Sequence, residues 1–282
     1  MFDDGLDAVS EQVYKAVGDL GVRFGREWSV KIDAQAVSTN RFLLGLRKLR
    51  IGADADARLI DVCASLGMPP TALAQYRSEL PKAQYVHFGF ESSSGIQSVK
   101  AYLEFFDEVD TRLRSGASRE PRYLVHRGFK WARESDGAAN VTSYWWHPHL
   151  SSAQMQAMLE EVLSREMDGR LLSAATELLD TATKRTSSQN LHFLEVVEEG
   201  NERRSFDINF YRAQLRMADV RASFEAACSI HGQSFTPWDH RWPGIATERF
   251  GHLAGGVDRS GRSFMTFYFG MTYFAPIDNR GP

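Results

Sequence analysis

The sequence is poor in cysteine: among its 282 residues only Cys63 and Cys228 occur. They stand far apart in stretches of helical spacing and match no metal or redox pattern. No disulfide framework is expected, and a reducing, cytoplasmic setting fits best. No run of about 18 apolar residues exists, so no membrane-spanning helix is expected. The opening stretch MFDDGLDAVSEQVYKAV is acidic and polar, unlike a signal peptide. Excess charge is also missing. The 33 Lys and Arg against 36 Asp and Glu leave a formal net charge of −3, so no global basic field argues for nucleic acid. No low-complexity tract or linker divides the chain. What remains, 43% hydrophobic and 24% charged, is an ordinary globular composition, and a single domain over 1–282 is expected.

The pattern along the chain is one of strand pairs separated by helices. Leu6, Val9, Val13, Ala16, Val17 and Leu20 fall on one face of a helix over 5–23. A strand pair follows at 27–34 and 41–50, then helices at 54–66 and 69–79, the second opened by prolines that suit a first turn. Further pairs are expected at 83–91 with 97–106, at 123–131 with 140–146, at 190–198 with 204–212, and at 249–257 with 262–270. Between them lie helical stretches over 151–187, broken at Gly169, and near 216–230; residues 231–244 read as a Pro- and Trp-bearing loop. Five pairs make ten antiparallel strands, an α+β pattern. Such a sheet hides one face under its helices, and closing it into a barrel removes its edges. In SVKAYLEF, Val99, Ala101, Leu103 and Phe105 make one face, while Lys100, Tyr102 and Glu104 make the other. A barrel with outer helices turns the polar set into its lumen, whereas an open sheet turns it to water. The alternation is compatible with both.

The stretch that organises the chain is EWSVKIDAQAVSTNRFLLGL, residues 27–46. An acid and two bases on neighbouring short strands could face one cavity, Glu27 taking a proton while Lys31 and Arg41 hold an anion. An ordinary hairpin with solvated charges is the plainer alternative. Residue for residue, the stretch resembles the opening of the cyanobactin-type peptide prenyltransferases. There a Glu-x-Ser-x-Lys-Ile-acid segment, here Glu27, Ser29, Lys31, Ile32 and Asp33, precedes Arg-Phe-Leu-Leu, here Arg41, Phe42, Leu43 and Leu44. The resemblance continues through most of the chain. Ser98, Val99 and Lys100 match the family's Ser-hydrophobic-Lys strand, and Tyr144 matches a lumen tyrosine. Phe210 and Tyr211 match its paired aromatics; Phe267, Tyr268 and Phe269 match its last strand. Two positions depart from the family: Arg47 replaces an acid, and Glu104 stands where a basic residue is common.

The resemblance implies a closed, ten-stranded antiparallel barrel with surrounding helices, the ABBA prenyltransferase barrel. It also implies transfer of a dimethylallyl or geranyl group from its diphosphate to a side chain of a ribosomally made, cyclic peptide. That chemistry needs cations for the departing diphosphate, aromatic faces to shield an allylic cation, and a base. Arg41, Lys100 and Lys130 are assigned to the diphosphate; Arg127 lies on the opposite strand face. Tyr102, Tyr144, Tyr211 and Tyr268 are assigned to the cation shield, and Glu27 to the base. Magnesium is expected to ride mainly on the diphosphate, with no protein-held metal. A monomer is expected, with neither nucleic acid nor membrane as partner. Each residue also has a plainer role: strand cations in water, tyrosines filling a core, Glu27 pairing Lys31. Two other functions stay open, an aromatic small-molecule prenyltransferase of the same barrel and a non-catalytic barrel that binds a hydrophobic ligand.

Three further signals are set aside. Asp3, Asp4 and Asp7 spell an aspartate-rich motif, but at the start of a helix, where acids are electrostatically favoured. Gly256 to Ser263 (GVDRSGRS) approximates a P-loop, yet it joins two strands and so reads as a hairpin turn. His147 and His149 read as a loop leading into the next helix.

Overall fold

The computed structural model describes residues 7–276 apart from 94, 117–119, 133–136, 164–168 and 202. Its strands are β1 (Phe24–Asp33), β2 (Val37–Ser38), β3 (Arg41–Arg47), β4 (Tyr85–Ser93), β5 (Ile96–Glu104) and β6 (Tyr123–Ala132). They continue with β7 (Asn140–His147), β8 (His192–Glu198), β9 (Arg204–Asn209), β10 (Phe250–Val257) and β11 (Ser263–Phe274). All five expected pairs are present, and the two-residue β2 is added to them. Neighbours in the sheet run β11-β10-β9-β8-β7-β6-β5-β4-β3-β1-β2, and β11 also pairs with β1. The order therefore closes on itself as an antiparallel barrel of ten long strands with helices around it. The chain packs as two compact units, which are described in turn.

The first unit comprises Asn40–Tyr144 with the described residues before Trp28 and after Met271. Its helices are α1 (Ala8–Gly18), α2 (Ala55–Ser65), α3 (Pro70–Glu79) and α4 (Phe106–Arg114). The Asp7 side chain starts α1 by accepting from the Val9 and Ser10 amides, at 3.1 and 2.9 Å, as an N-cap does. Asp7 of the aspartate-rich motif is thus a cap; Asp3 and Asp4 lie outside the described residues. Strand alternation sends Phe42, Leu44, Val86, Phe88, Val99, Ala101, Phe129 and Trp131 to one buried face. Tyr14 of α1 packs on Phe42, Tyr76 of α3 stands edge-on to Phe129, and the Trp131 indole donates to the Leu66 carbonyl just past α2. Burying each large apolar side chain contributes about 1.5–3 kcal/mol, enough to fix which face turns to the helices. The opposite face is then polar by register: Arg41 pairs with Glu91, Gly45 with His87, Lys100 with Lys130, and Glu104 with His126.

Helix α4 was not expected, because the strand over 97–106 ends at Glu104 instead. Val109 is its one buried residue, too thin an apolar stripe to register as a helix.

The second unit comprises Trp28–Thr39 and Trp145–Met271. Its helices are α5 (Ser152–Leu163), α6 (Arg170–Thr183), α7 (Arg221–Ile230), α8 (Thr236–Asp239) and α9 (Trp242–Ile245). The break at Gly169 is real: the residue adopts φ 66° immediately before α6, a region glycine enters without strain. Phe224 of α7 anchors the helix-facing core, with Trp238, Trp242 and Phe267 rings at 5.0, 5.3 and 5.0 Å.

Two expectations fail here. The loop over 231–244 contains α8 and α9, since Pro237 and Pro243 suit first turns and Trp238 and Trp242 are drawn into that core. Strand β9 stops at Asn209, not at 212. The Asn209 side chain accepts from the Tyr211 amide at 3.0 Å, turning the chain into a 3-10 turn over Tyr211–Ala213. The GVDRSGRS stretch is the hairpin turn expected: Asp258 accepts from the Ser260 and Arg262 amides at 2.8 and 3.0 Å, with Gly261 at φ 75°. His147 ends β7 beside Glu195 (3.3 Å), and His149 follows in a left-handed turn.

Candidate active site

On the polar face of the first unit, three cations converge on one buried carboxylate. Glu91 of β4 is bound by Arg41 from β3, Lys100 from β5 at 2.5 Å, and Lys130 from β6. Ladder register brings them together. Arg41 lies directly opposite Glu91, Lys100 lies diagonally from it, and Lys130 lies opposite Lys100. Burial would raise the Glu91 carboxyl, but the three cations outweigh it and hold it well below the usual carboxylate range. Burial pushes the Lys100 ammonium down to about 7, against the pull of Glu91, and the neighbouring Arg41 and Lys130 charges add to the fall. Three cations from three strands thus share one buried carboxylate. Lys130 is the solvent side of the cluster, 41% exposed. Arg127, on the opposite face as expected, binds Glu79 at the end of α3 at 3.0 Å.

Further along β5 on the same face comes Tyr102. Its ring meets Tyr144 of β7 edge-on, with centroids 5.9 Å apart. A Cβ at Gly128 would come within 2.8 Å of the Tyr102 ring and 2.6 Å of the Thr142 hydroxyl. Glycine at that position is what lets the Tyr102 ring lie against the sheet. Tyr144 also stands edge-on to His126 at 5.8 Å.

Tyr211 and Tyr268, the other proposed shield residues, belong to the second unit. Both stand edge-on to His252, at 5.4 and 5.9 Å. His252 Nδ1 is 2.9 Å from Asp207, and its Nε2 is 3.4 Å from the Asn209 amide. Tyr211 lies off the strand, and the Arg249 guanidinium stacks over its ring at 5.4 Å, so a cation already covers one of its faces.

Glu27 is buried in β1, 3% exposed. Lys31 binds Asp33 at 2.8 Å on that strand, and this lowers the Asp33 carboxyl despite the opposing effect of burial.

No protein-family model matches the sequence, and no curated protein matches it. Solved structures match its fold. The 5-dimethylallyltryptophan synthase from Streptomyces coelicolor superposes with a TM-score of 0.62 at 14% identity, over 95% of this chain and 93% of that one. AnaPT from Neosartorya fischeri gives 0.57 at 13% identity, over 91% and 80%. The 6-dimethylallyltryptophan synthase from Micromonospora olivasterospora, solved with DMASPP and Trp, gives 0.55 at 15%, over 87% and 81%. This chain has the ABBA prenyltransferase barrel fold.

All three cations of the cluster were nameable from the sequence, but the carboxylate that gathers them was not. Glu91 was visible only as the end of YVHFGFE, where alternation places it on one face with His87 and Gly89. The partnership spans 50 positions between Arg41 and Glu91, so no local pattern announces it.

Proposed function

We propose that this chain transfers a dimethylallyl or geranyl group from its diphosphate to a side chain of a ribosomally made, cyclic peptide. The observation that carries the reading is the convergence of Arg41, Lys100 and Lys130 on Glu91, on the polar face of an ABBA barrel. As the allylic C–O bond breaks, negative charge grows on the departing diphosphate, and fixed cations aimed there lower the barrier most. Arg41 supplies a planar fork that can span two phosphate oxygens, while Lys100 and Lys130 supply point charges. Tyr102 and Tyr144 offer ring faces to the allylic cation, and Glu27 is the base. Glu91 is already engaged by three cations and offers magnesium no open ligand, so that ion would be held through the diphosphate's own oxygens. A monomer suffices for this chemistry.

The peptide acceptor rests on the motif at 27–46. A second reading, a small aromatic acceptor, is favoured by the fold of the dimethylallyltryptophan synthases, one of them solved with Trp. Mass spectrometry separates the two. The pure protein is given magnesium, either diphosphate, and free tryptophan or cyclic peptides presenting Arg, Trp, Tyr, His and Ser/Thr singly. One prenyl unit gained by a peptide supports the proposal, and gain by tryptophan alone moves the acceptor to the small molecule. Diphosphate binding without transfer to any acceptor supports the binding barrel, and absence of binding removes the prenyltransferase reading.

A further inference from the structure

Four residues along β5 from Lys100, about 13 Å at strand rise, the polar face of the first unit changes character. His87 of β4, Glu104 of β5 and His126 of β6 bring their ligating atoms within 4.8 Å of one another. His87 Nε2 lies 2.8 Å from a Glu104 carboxylate oxygen, Glu104 lies directly opposite His126, and the two imidazoles stand edge-on with centroids 6.2 Å apart.

A second feature fixes the first ligand. Gly45 of β3 is paired opposite His87, and a Cβ there would come 2.7 Å from His87 Nδ1. The imidazole therefore lies in the space a side chain would take, Nδ1 against β3 and Nε2 left for Glu104. Metal-ligating histidines need this kind of fixed ring orientation.

From these observations we infer that His87, Glu104 and His126 form a binding site for a zinc-class divalent ion. Two imidazoles and a carboxylate are the donor set such ions take, and three protein ligands leave a fourth position open to water or to another ligand's atom. Bonds of about 2.0–2.2 Å at tetrahedral angles hold ligand atoms roughly 3.3–3.5 Å apart. The ligand atoms already lie within 4.8 Å of one another, so a bound ion would draw Glu104 and His126 inward towards the fixed His87 ring. Magnesium, a hard ion that prefers oxygen and water, is a poor match for this set, so the site is distinct from any magnesium carried by a diphosphate. It departs from the expectation of no protein-held metal, and it does not depend on the prenyl-transfer reading.

The test is a titration of the full chain, stripped with a chelator, using Co2+ and then Zn2+. Cobalt's visible ligand-field bands report coordination and stoichiometry, and far-UV circular dichroism reports folding. The expected result is one Co2+ per chain, with the intense bands of a low-coordinate site, displaced by Zn2+ and not by Mg2+. Glu104→Gln and His126→Ala should each weaken binding at least about tenfold. Gly45→Ala, which crowds the His87 ring without removing a ligand, should weaken it as well. His147→Ala, at the separate pair with Glu195, should bind like the wild type. Absence of stoichiometric binding by the wild type overturns the inference whether or not the variants fold. Equal binding by folded Glu104→Gln and His126→Ala also overturns it.

Discussion

Glu91 and Glu198 are both buried carboxylates that gather cations, yet they do so in opposite ways. The partners of Glu91 come from neighbouring strands, and Arg41 and Lys100 have side chains only 5% and 13% exposed. The partners of Glu198, at the end of β8, are Arg203 at 3.3 Å and Arg259, whose Nε lies at 2.6 Å. Both arginines come from segments between strands and are 26% and 48% exposed. Arg41 and Lys100 are held out of water between strands, whereas Lys130, 41% exposed, and Arg259, 48% exposed, reach solvent. The first cluster keeps two of its three cations out of water, whereas the second ties two connecting segments to β8 and has Arg259 half in solvent.

The sharpest way to break this contrast is Glu91→Gln. Removing the carboxylate takes one counter-charge from buried Arg41 and Lys100, which should cost about 3–5 kcal/mol in denaturant unfolding. The same variant should bind inorganic diphosphate more tightly, because one competing negative charge is gone. Lower stability with unchanged or weaker diphosphate binding would reduce the Glu91 cluster to the structural kind.

Next in size is Lys100→Met, which should weaken diphosphate binding by about 1.5–3 kcal/mol, the worth of a hydrogen bond to a charged group. Calorimetry would read that as a loss of roughly ten- to a hundredfold. Arg259→Ala should leave the affinity unchanged, and equal losses in both variants would erase the distinction.

The effect of pH follows. Lys100 has been pushed down to about 7, so near neutrality it is only partly charged in the free protein. A bound polyanion favours the charged form and raises its pKa, so binding takes up a proton. Affinity should therefore be full below pH 7 and fall as pH rises above it, by up to about tenfold per pH unit. Lys100→Arg, charged throughout, should flatten that part of the profile.

The smallest expected effect is that of Glu198→Gln, about 1 kcal/mol in unfolding, since Arg259 is already half in solvent and Arg203 also stacks over Phe264. A loss as large as that of Glu91→Gln would show that strand register is not what separates the two clusters.

Much of the fold was legible because it rests on local regularities. Period-two alternation in SVKAYLEF assigned Lys100, Tyr102 and Glu104 to one face, and the structure keeps that assignment. Turn chemistry marked the DRSG hairpin and the Gly169 break. Where the reading failed, a local signal was weak or outcompeted. The single buried residue of α4 hid that helix, and the Asn209 side chain ended β9 before Tyr211.

By itself, the sequence determined the strand pairs, the two faces of the SVKAYLEF strand, and the candidate cations Arg41, Lys100 and Lys130. The strands and faces follow from backbone geometry within a few residues, and the cations from the resemblance of the chain to a known family. Only the tertiary structure decided that the three cations meet at Glu91, that Gly45 makes room for His87, and that Glu104 lies between two histidines. Those outcomes depend on register between strands far apart in sequence. The burial of one whole apolar face fixes that register, because a slip of a single residue would turn every core side chain to the other side.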